Sequence, residues 1–317
     1  MRRGLTLIEV LLTILLSVLV ISFAFGIARQ ATLMMERMSN RAIAWERGQN
    51  ALSIIEPRAL HAALGITYES VGDVFRRSFR DDMYSMNSPQ PAQWTDRGPL
   101  QVWTGYPTLF NLAANDEGVF RGRGIAILYA LPSALRAKIP DNAPIHMSEG
   151  ESVKFELVPS EELTGITTRL PTTAKNDLRS WVTFPLMRLP VYAVYSAGEL
   201  TVRMAGASGL SATLYPYDEM HYLRAERFYA QNGVMLSEAL RTTWTNLETR
   251  LMGVLEMWFE WTPSKKLLEA WILSSGGRAS SRRTARPKDW PIEAPWREEF
   301  EFHDVAVVRG SWLLKNM

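Results

Sequence analysis

Glu9 is the one ionisable side chain between Gly4 and Ala28 of this 317-residue chain. An ionised carboxylate inside lipid costs about 2.5–3.5 kcal/mol, so such a residue needs a reason. The plain one is that the carboxylate snorkels to an interface within a turn of the helix.

Elsewhere the residue types that do chemistry are scattered. The histidines are His61, His146, His221 and His303, and none lies three or four residues from another, so no helical metal pair forms. Gly206-Ala207-Ser208-Gly209 lacks the closing glycine of a nucleophile elbow, because Leu210 follows. Gly118–Gly124 matches neither a phosphate loop nor a dinucleotide fingerprint. Asn115-Asp116-Glu117-Gly118 has calcium-type oxygens without EF-hand spacing and reads as a solvated turn; Asp81-Asp82 reads as a cap. Cysteine is absent, which excludes disulfides, thiolate metal sites and a cysteine nucleophile. We therefore expect no catalytic residues, no metal, no cofactor and no enzyme.

The elements that position Glu9 come next. Leu5–Ala28 is 24 residues, or roughly 36 Å of helix, more than the ~30 Å hydrocarbon core. It has no polar face; Thr6, Thr13, Ser17 and Ser22 are its hydroxyls, and these can bond back to the helix. A cleaved secretory signal would be shorter and end in small residues, which this run does not. After Ala28 the chain turns polar, with apolar residues at Met34, Met38, Ala42, Trp45, Leu52 and Ile55, the spacing of an amphipathic helix. A helix from Leu5 to Ile55 is about 77 Å long. Pro57 is expected to end or kink it, and Gly26 and Gly48 to be weak points.

Past residue 57 the pattern is that of strands. Leu100–Trp103, Gly124–Leu131, Val153–Val158, Arg179–Leu186, Val191–Tyr195, Asp218–Tyr229, Val234–Leu240, Gly253–Trp261, Leu267–Leu273 and Glu299–Val308 are β-rich. Asn232-Gly233 and the stretch Thr262–Lys266 predict hairpins. Asp81–Pro99 reads as a loop, and Pro132–Pro144 as irregular with a helical turn at Ala134–Lys138. Residues 80–210 carry no further assignable pattern. Residues 274–295, rich in Ser, Gly and Arg, read as a flexible basic loop; a polyanion contact is possible there, but a solvated hairpin extension is the plainer reading. With 11 tryptophans, a core holding most of them is expected. The fold class is α+β: a long N-terminal helix, its first half membrane-spanning, packed against an antiparallel β-sheet head.

The string Gly4-Leu5-Thr6-Leu7-Ile8-Glu9, with a short basic leader before it and the apolar run after it, resembles the start of type IV prepilins and type II secretion pseudopilins. Leu5 stands where phenylalanine or methionine is more usual. The order of the C-terminal elements, with Leu251-Met252-Gly253-Val254 through Phe259, is similar to J-type pseudopilins and W-type minor pilins over about a third of the chain. The resemblance implies a leader at 1–4, a transmembrane half at 5–28, an amphipathic half at 29–56 and an extracytoplasmic head at 57–317. It implies that a prepilin peptidase cuts after Gly4, that Leu5 becomes a methylated N-terminus, and that Glu9 serves assembly by meeting a neighbour's new amine. The implied partners are that peptidase, other pilin or pseudopilin subunits, an inner-membrane assembly platform and lipid. Arg2 and Arg3 argue for a cytoplasmic N-terminus, which places the head in the periplasm and then in the pilus or pseudopilus. Two other readings stand beside it: a DNA-uptake minor pilin, although Lys plus Arg 35 against Asp plus Glu 33 offers little electrostatic steering and nucleic acid is not expected, and a signal-anchored extracytoplasmic enzyme or binding protein.

Overall fold

A computed structural model describes residues 7–66, 99–103, 118–170, 177–204, 210–241, 246–279 and 283–316. The expected loop at Asp81–Pro99, all but its last residue, lies outside them. One long helix, α1 (Leu7–Leu60), precedes fifteen strands among the described residues. These are β1 (Leu100–Trp103), β2 (Phe120–Gly122), β3 (Gly124–Lys138), β4 (Ile145–Met147), β5 (Ser152–Val158), β6 (Trp181–Thr183), β7 (Pro190–Ser196), β8 (Glu199–Arg203), β9 (Ala212–Leu214), β10 (Glu219–Gln231), β11 (Val234–Ala239), β12 (Asn246–Met252), β13 (Val254–Thr262), β14 (Leu267–Ala279) and β15 (His303–Leu313). All of their pairings are antiparallel. The molecule is α+β, a helix packed on sheet.

The 54-residue helix is about 81 Å long and runs through Pro57 rather than ending there. Proline takes one bond from the Ser53 carbonyl, but both residues are exposed, so water can hydrate that oxygen. Three further residues then complete the last turn. The docked face is Ala44, Gly48, Ala51, Leu52, Ile55 and Ala59. Gly48 is a contact point and not a weak one: a Cβ there would lie 2.5 Å from Val308 Cγ2. At Gly276 in β14 a Cβ would lie 2.7 Å from the Asn40 Cα, so backbone meets backbone. Ser274 Oγ donates to the Ala44 carbonyl at 2.5 Å, and Arg47 Nη1 donates to the Ser275 carbonyl at 2.7 Å.

Four hydrophobic clusters fill the head among the described residues, and two of them form its main cores. In the first, α1 and the four-stranded sheet β15-β14-β13-β2 pack with β1 and the adjoining parts of β3 and β10, burying Ile55, Ile125, Ile127, Phe228, Met257, Phe259, Ile272 and Trp312. In the second, pairings β3–β5, β5–β8, β8–β7, β7–β6, β6–β10 and β10–β3 return to their start. That is a closed six-stranded barrel, inserted between the first half of β3 and the second half of β10. Alternate residues point inward, among them Leu135, Phe155, Val182, Val191, Leu200, Val202 and Tyr222, with Phe184 edge-on to Phe155 at 5.9 Å. The short pair β4–β9 adds Met147 and Leu214 to the same core.

Several expectations are corrected. Pro132–Lys138 is not irregular or helical but the second half of β3; a bulge with Ala134 at φ 60° carries Pro132 through the strand, and Ser133 Oγ caps the Leu135 amide at 3.2 Å. Leu178–Ser180 is a 3₁₀ turn, so the strand expected over 179–186 shrinks to β6. Glu298–Phe302 is likewise 3₁₀, and the last strand begins at His303. The described residues of the 274–295 stretch are no free loop. Residues 274–279 continue β14, and the described residues 283–302 form a strap over the outer face of β13 and β14. Trp290, Ala294 and Phe300 bury there against Trp258 and Trp271. The arginines serve this packing: Arg286 donates to the Pro291 and Ala294 carbonyls, and Arg283 lies over the Phe302 ring. The hairpins at Asn232-Gly233 (φ 51° and 73°) and at 262–266 form as expected. Six tryptophans, 181, 258, 261, 271, 290 and 312, are buried.

Candidate functional site

The membrane-length stem holds Glu9 in its first described turn, while Gly4 and Leu5 lie outside the described residues. Between Leu7 and Ile27 there are fifteen large apolar side chains, each at least 42% exposed. Among the described residues nothing covers them. At roughly 0.3–0.6 kcal/mol each on insertion scales, they favour lipid by about 5–9 kcal/mol, which exceeds the about 2.5–3.5 kcal/mol that a carboxylate opposes. Thr13 Oγ1 donates to the Glu9 carbonyl at 2.7 Å and Ser17 Oγ to the Thr13 carbonyl at 2.8 Å, so these hydroxyls are satisfied within the helix. The helix is long and apolar enough to span a membrane.

The expected apolar stripe divides. Leu52 and Ile55 dock on the head, but Met34, Met38 and Trp45 are exposed, together with Leu33, Met35 and Ile43. The docking face is built instead from small residues, because the sheet approaches too closely for large ones. The signal was present as Ala44, Gly48, Ala51, Ile55 and Ala59 at steps of four, three, four and four. Asn40 Nδ2, donating to Asp304 Oδ2 at 3.2 Å, is the first side chain from the stem tied to the head by a hydrogen bond.

The histidines stay apart in function. His61 Nδ1 donates to the Pro57 carbonyl at 2.7 Å, and His146 Nδ1 contacts Thr213 Oγ1 at 2.8 Å on the surface. His221 is buried in β10, its Nε2 3.5 Å from Glu219 Oε1; burial pushes its pKa down, Glu219 opposes this, and nearby His61 adds to it. Among the described residues no group of three or more His, Cys, Asp or Glu could hold a metal. Residues 206–209, 115–117 and 81–82 lie outside the described residues.

A polar seam that the sequence reading missed separates the two cores. Tyr222 belongs to the barrel core and Phe228 to the helix–sheet core; Arg224 and Glu226 lie between them on the same face of β10. Glu226, 6% exposed, accepts from Tyr129 Oη at 2.7 Å and from Arg58 Nε at 3.2 Å. The Tyr129 hydroxyl is pushed well up, first by burial and then by Glu226. Burial works against the Arg58 guanidinium, yet Glu226 and Tyr129 together hold it above its ordinary value. Arg224 lies 5.4 Å over the Tyr222 ring, and burial pushes its guanidinium down to about 10. Arg179 grips Asp177 with Nη2 to Oδ2 at 2.6 Å. Arg58, Tyr129, Arg179, Arg224 and Glu226 line a cleft of about 380 Å³ at the end of α1. Two charges interrupting an apolar alternation in β10 were the visible sign of it.

No family model, no curated protein and no solved structure matches the chain.

Proposed function

We propose that the chain is a minor pilin or pseudopilin, a non-enzymatic subunit of a type IV pilus or type II secretion pseudopilus. A prepilin peptidase removes residues 1–4, Leu5 is methylated, and the stem crosses the inner membrane with the head outside it. The observation that carries this reading is the stem itself: one unbroken helix, bare over Leu7–Ile27, that carries Glu9 as its sole charge there and docks on the head only from Asn40 onward. A plain membrane anchor does not need a rigid continuation into the head, nor a carboxylate in its lipid segment. In an assembly both have a use. Exposed Met34, Met38 and Trp45 face neighbouring stems, and Glu9 meets the amine of the next subunit, each charge relieving the other's desolvation.

N-terminal mass analysis of the purified protein tests the processing, with methyl-Leu5 expected and an intact Met1 overturning it. Glu9→Ala tests the assembly. The variant is expected to remain in the membrane fraction and to lose co-purification with partner subunits; undiminished co-purification removes the assembly role.

A further inference from the structure

The seam cleft goes beyond that reading and does not depend on it. Four arginines line it, and three are answered by carboxylates: Arg58 by Glu226 at 3.2 Å, Arg179 by Asp177 at 2.6 Å and Arg241 by Glu248 at 3.6 Å. Arg224 is the exception. Its Nη1 donates to its neighbour's carbonyl, Leu223, at 2.6 Å, and its Nη2 to the Arg169 carbonyl at 3.1 Å. Among the described residues it makes no ion pair. A guanidinium partly removed from water, bonded to two carbonyls, set over a ring and reached by the Asp177 charge without an ion pair to it, keeps donor capacity for an anion. The rest of the wall is His61 and Tyr129 together with apolar groups, among them Pro57 at the helix end and Leu131, 42% exposed, on β3.

We propose that this cleft binds a small oxyanion, a carboxylate or a phosphate group, which Arg224 takes as its missing counter-charge and Arg241 holds at the rim. The cleft volume suits a molecule of a few heavy atoms beyond the anion, its apolar part lying on Leu131. Glu226 and Glu248, the carboxylates on its wall, do not repel it strongly, because each already has an arginine partner, Arg58 and Arg241. The competing account makes Arg224 a brace that ties β10 to the Arg169 carbonyl and nothing more.

Isothermal titration of the full-length protein in nonionic detergent micelles, at constant ionic strength, decides between them, with inorganic phosphate in one arm and succinate in the other. A saturable heat of one anion per chain is expected in at least one arm. Phosphate alone marks a phosphate ester as the natural ligand, succinate alone a carboxylate, and both a site for either. Arg224→Gln is expected to weaken binding about tenfold, the loss of one bidentate charged contact, and Arg241→Gln about threefold. Lys138→Gln, at an exposed pair with Glu156 on the barrel, is expected to change nothing. No saturable heat in either arm up to about 10 mM, which is weaker than specific small-ligand binding, overturns the proposal. So does an affinity unchanged by Arg224→Gln. Should that variant fail to fold by circular dichroism, Arg241→Gln decides, an unchanged affinity counting against the site.

Discussion

The helix–sheet body and the barrel bury similar aromatic and aliphatic side chains, but they are held together by opposite means. In the body, a helix face of alanines and a glycine lets the backbone of α1 come against β14 and β15, and the large groups come from the strands: Phe259, Trp261, Trp312. In the barrel no helix of more than four residues is involved among the described residues; a ring of main-chain hydrogen bonds closes on itself around Phe155 and Phe184. The first depends on close approach between unlike elements, where one added methyl group is felt. The second depends on continuity, since each strand has a neighbour on both sides. Strands β3 and β10 belong to both, and the charged seam lies where they pass from one to the other.

The largest effect that could break this division comes from emptying each core. Phe259→Ala and Phe184→Ala both remove a fully buried ring and are expected to cost about 3–5 kcal/mol in denaturant unfolding. Hydrogen exchange should separate them. Phe184→Ala is expected to expose amides of β5, β7 and β8 while β13–β15 stay protected; Phe259→Ala should open β13, β14 and the last turns of α1. Identical protection maps would make the head one cooperative unit and remove the distinction.

A smaller effect sharpens the account of the body. Gly48→Ala is expected to cost about 1–3 kcal/mol through the clash with Val308. Adding Val308→Ala should make the pair cost less than the sum of the two single changes, measured by urea midpoints. Strict additivity would mean that the helix does not sit where Gly48 meets that side chain.

How much of this was legible in the sequence follows the same division. The stem was visible because its pattern is local: a charge-free run, then a polar helix. The hairpins at Asn232-Gly233 and 262–266 were visible because a turn residue and its flanking strands lie within a dozen positions. The barrel was not, because its closing pairs join residues far apart, such as His221 with Thr183 and Arg136 with Val158. The bulge at Ala134 also disguised a strand as a loop, since proline and a broken alternation mimic a turn. Strands β2, β4, β8, β9 and β12 were overlooked, and the strap was misread because its order comes from Trp290 and Arg286 and not from its serines and glycines. In the candidate site, Glu9 stood out against its surroundings. The seam did not, because charges in a strand ordinarily mark the solvent face.

The smallest effect concerns His221. Its pKa in the folded protein is held below the ordinary 6.5, mainly by burial, so below about pH 6.5 the unfolded chain takes up a proton that the folded one refuses. Stability is therefore expected to fall as pH drops through that window, by at most about 1.4 kcal/mol per pH unit, and to be level above it. Melting temperatures of the wild type and His221→Gln between pH 5.5 and 7.5 check this. The variant should show the flatter profile, and parallel profiles would remove His221 from the account.

The closed ring has a consequence for life at a crowded surface. Copies held in one bilayer by such a stem would meet at high local concentration, where an unpaired strand border would invite another copy to add to it and the sheets to fuse into aggregates. Seven of the nine strands in the large sheet offer no such border along their paired lengths, because each already has partners left and right. Only β1 and β12, four and seven residues long, end that sheet. Inserting a barrel therefore enlarges the head without lengthening the free borders of the large sheet, and the borders it does add are those of the three-residue strands β4 and β9.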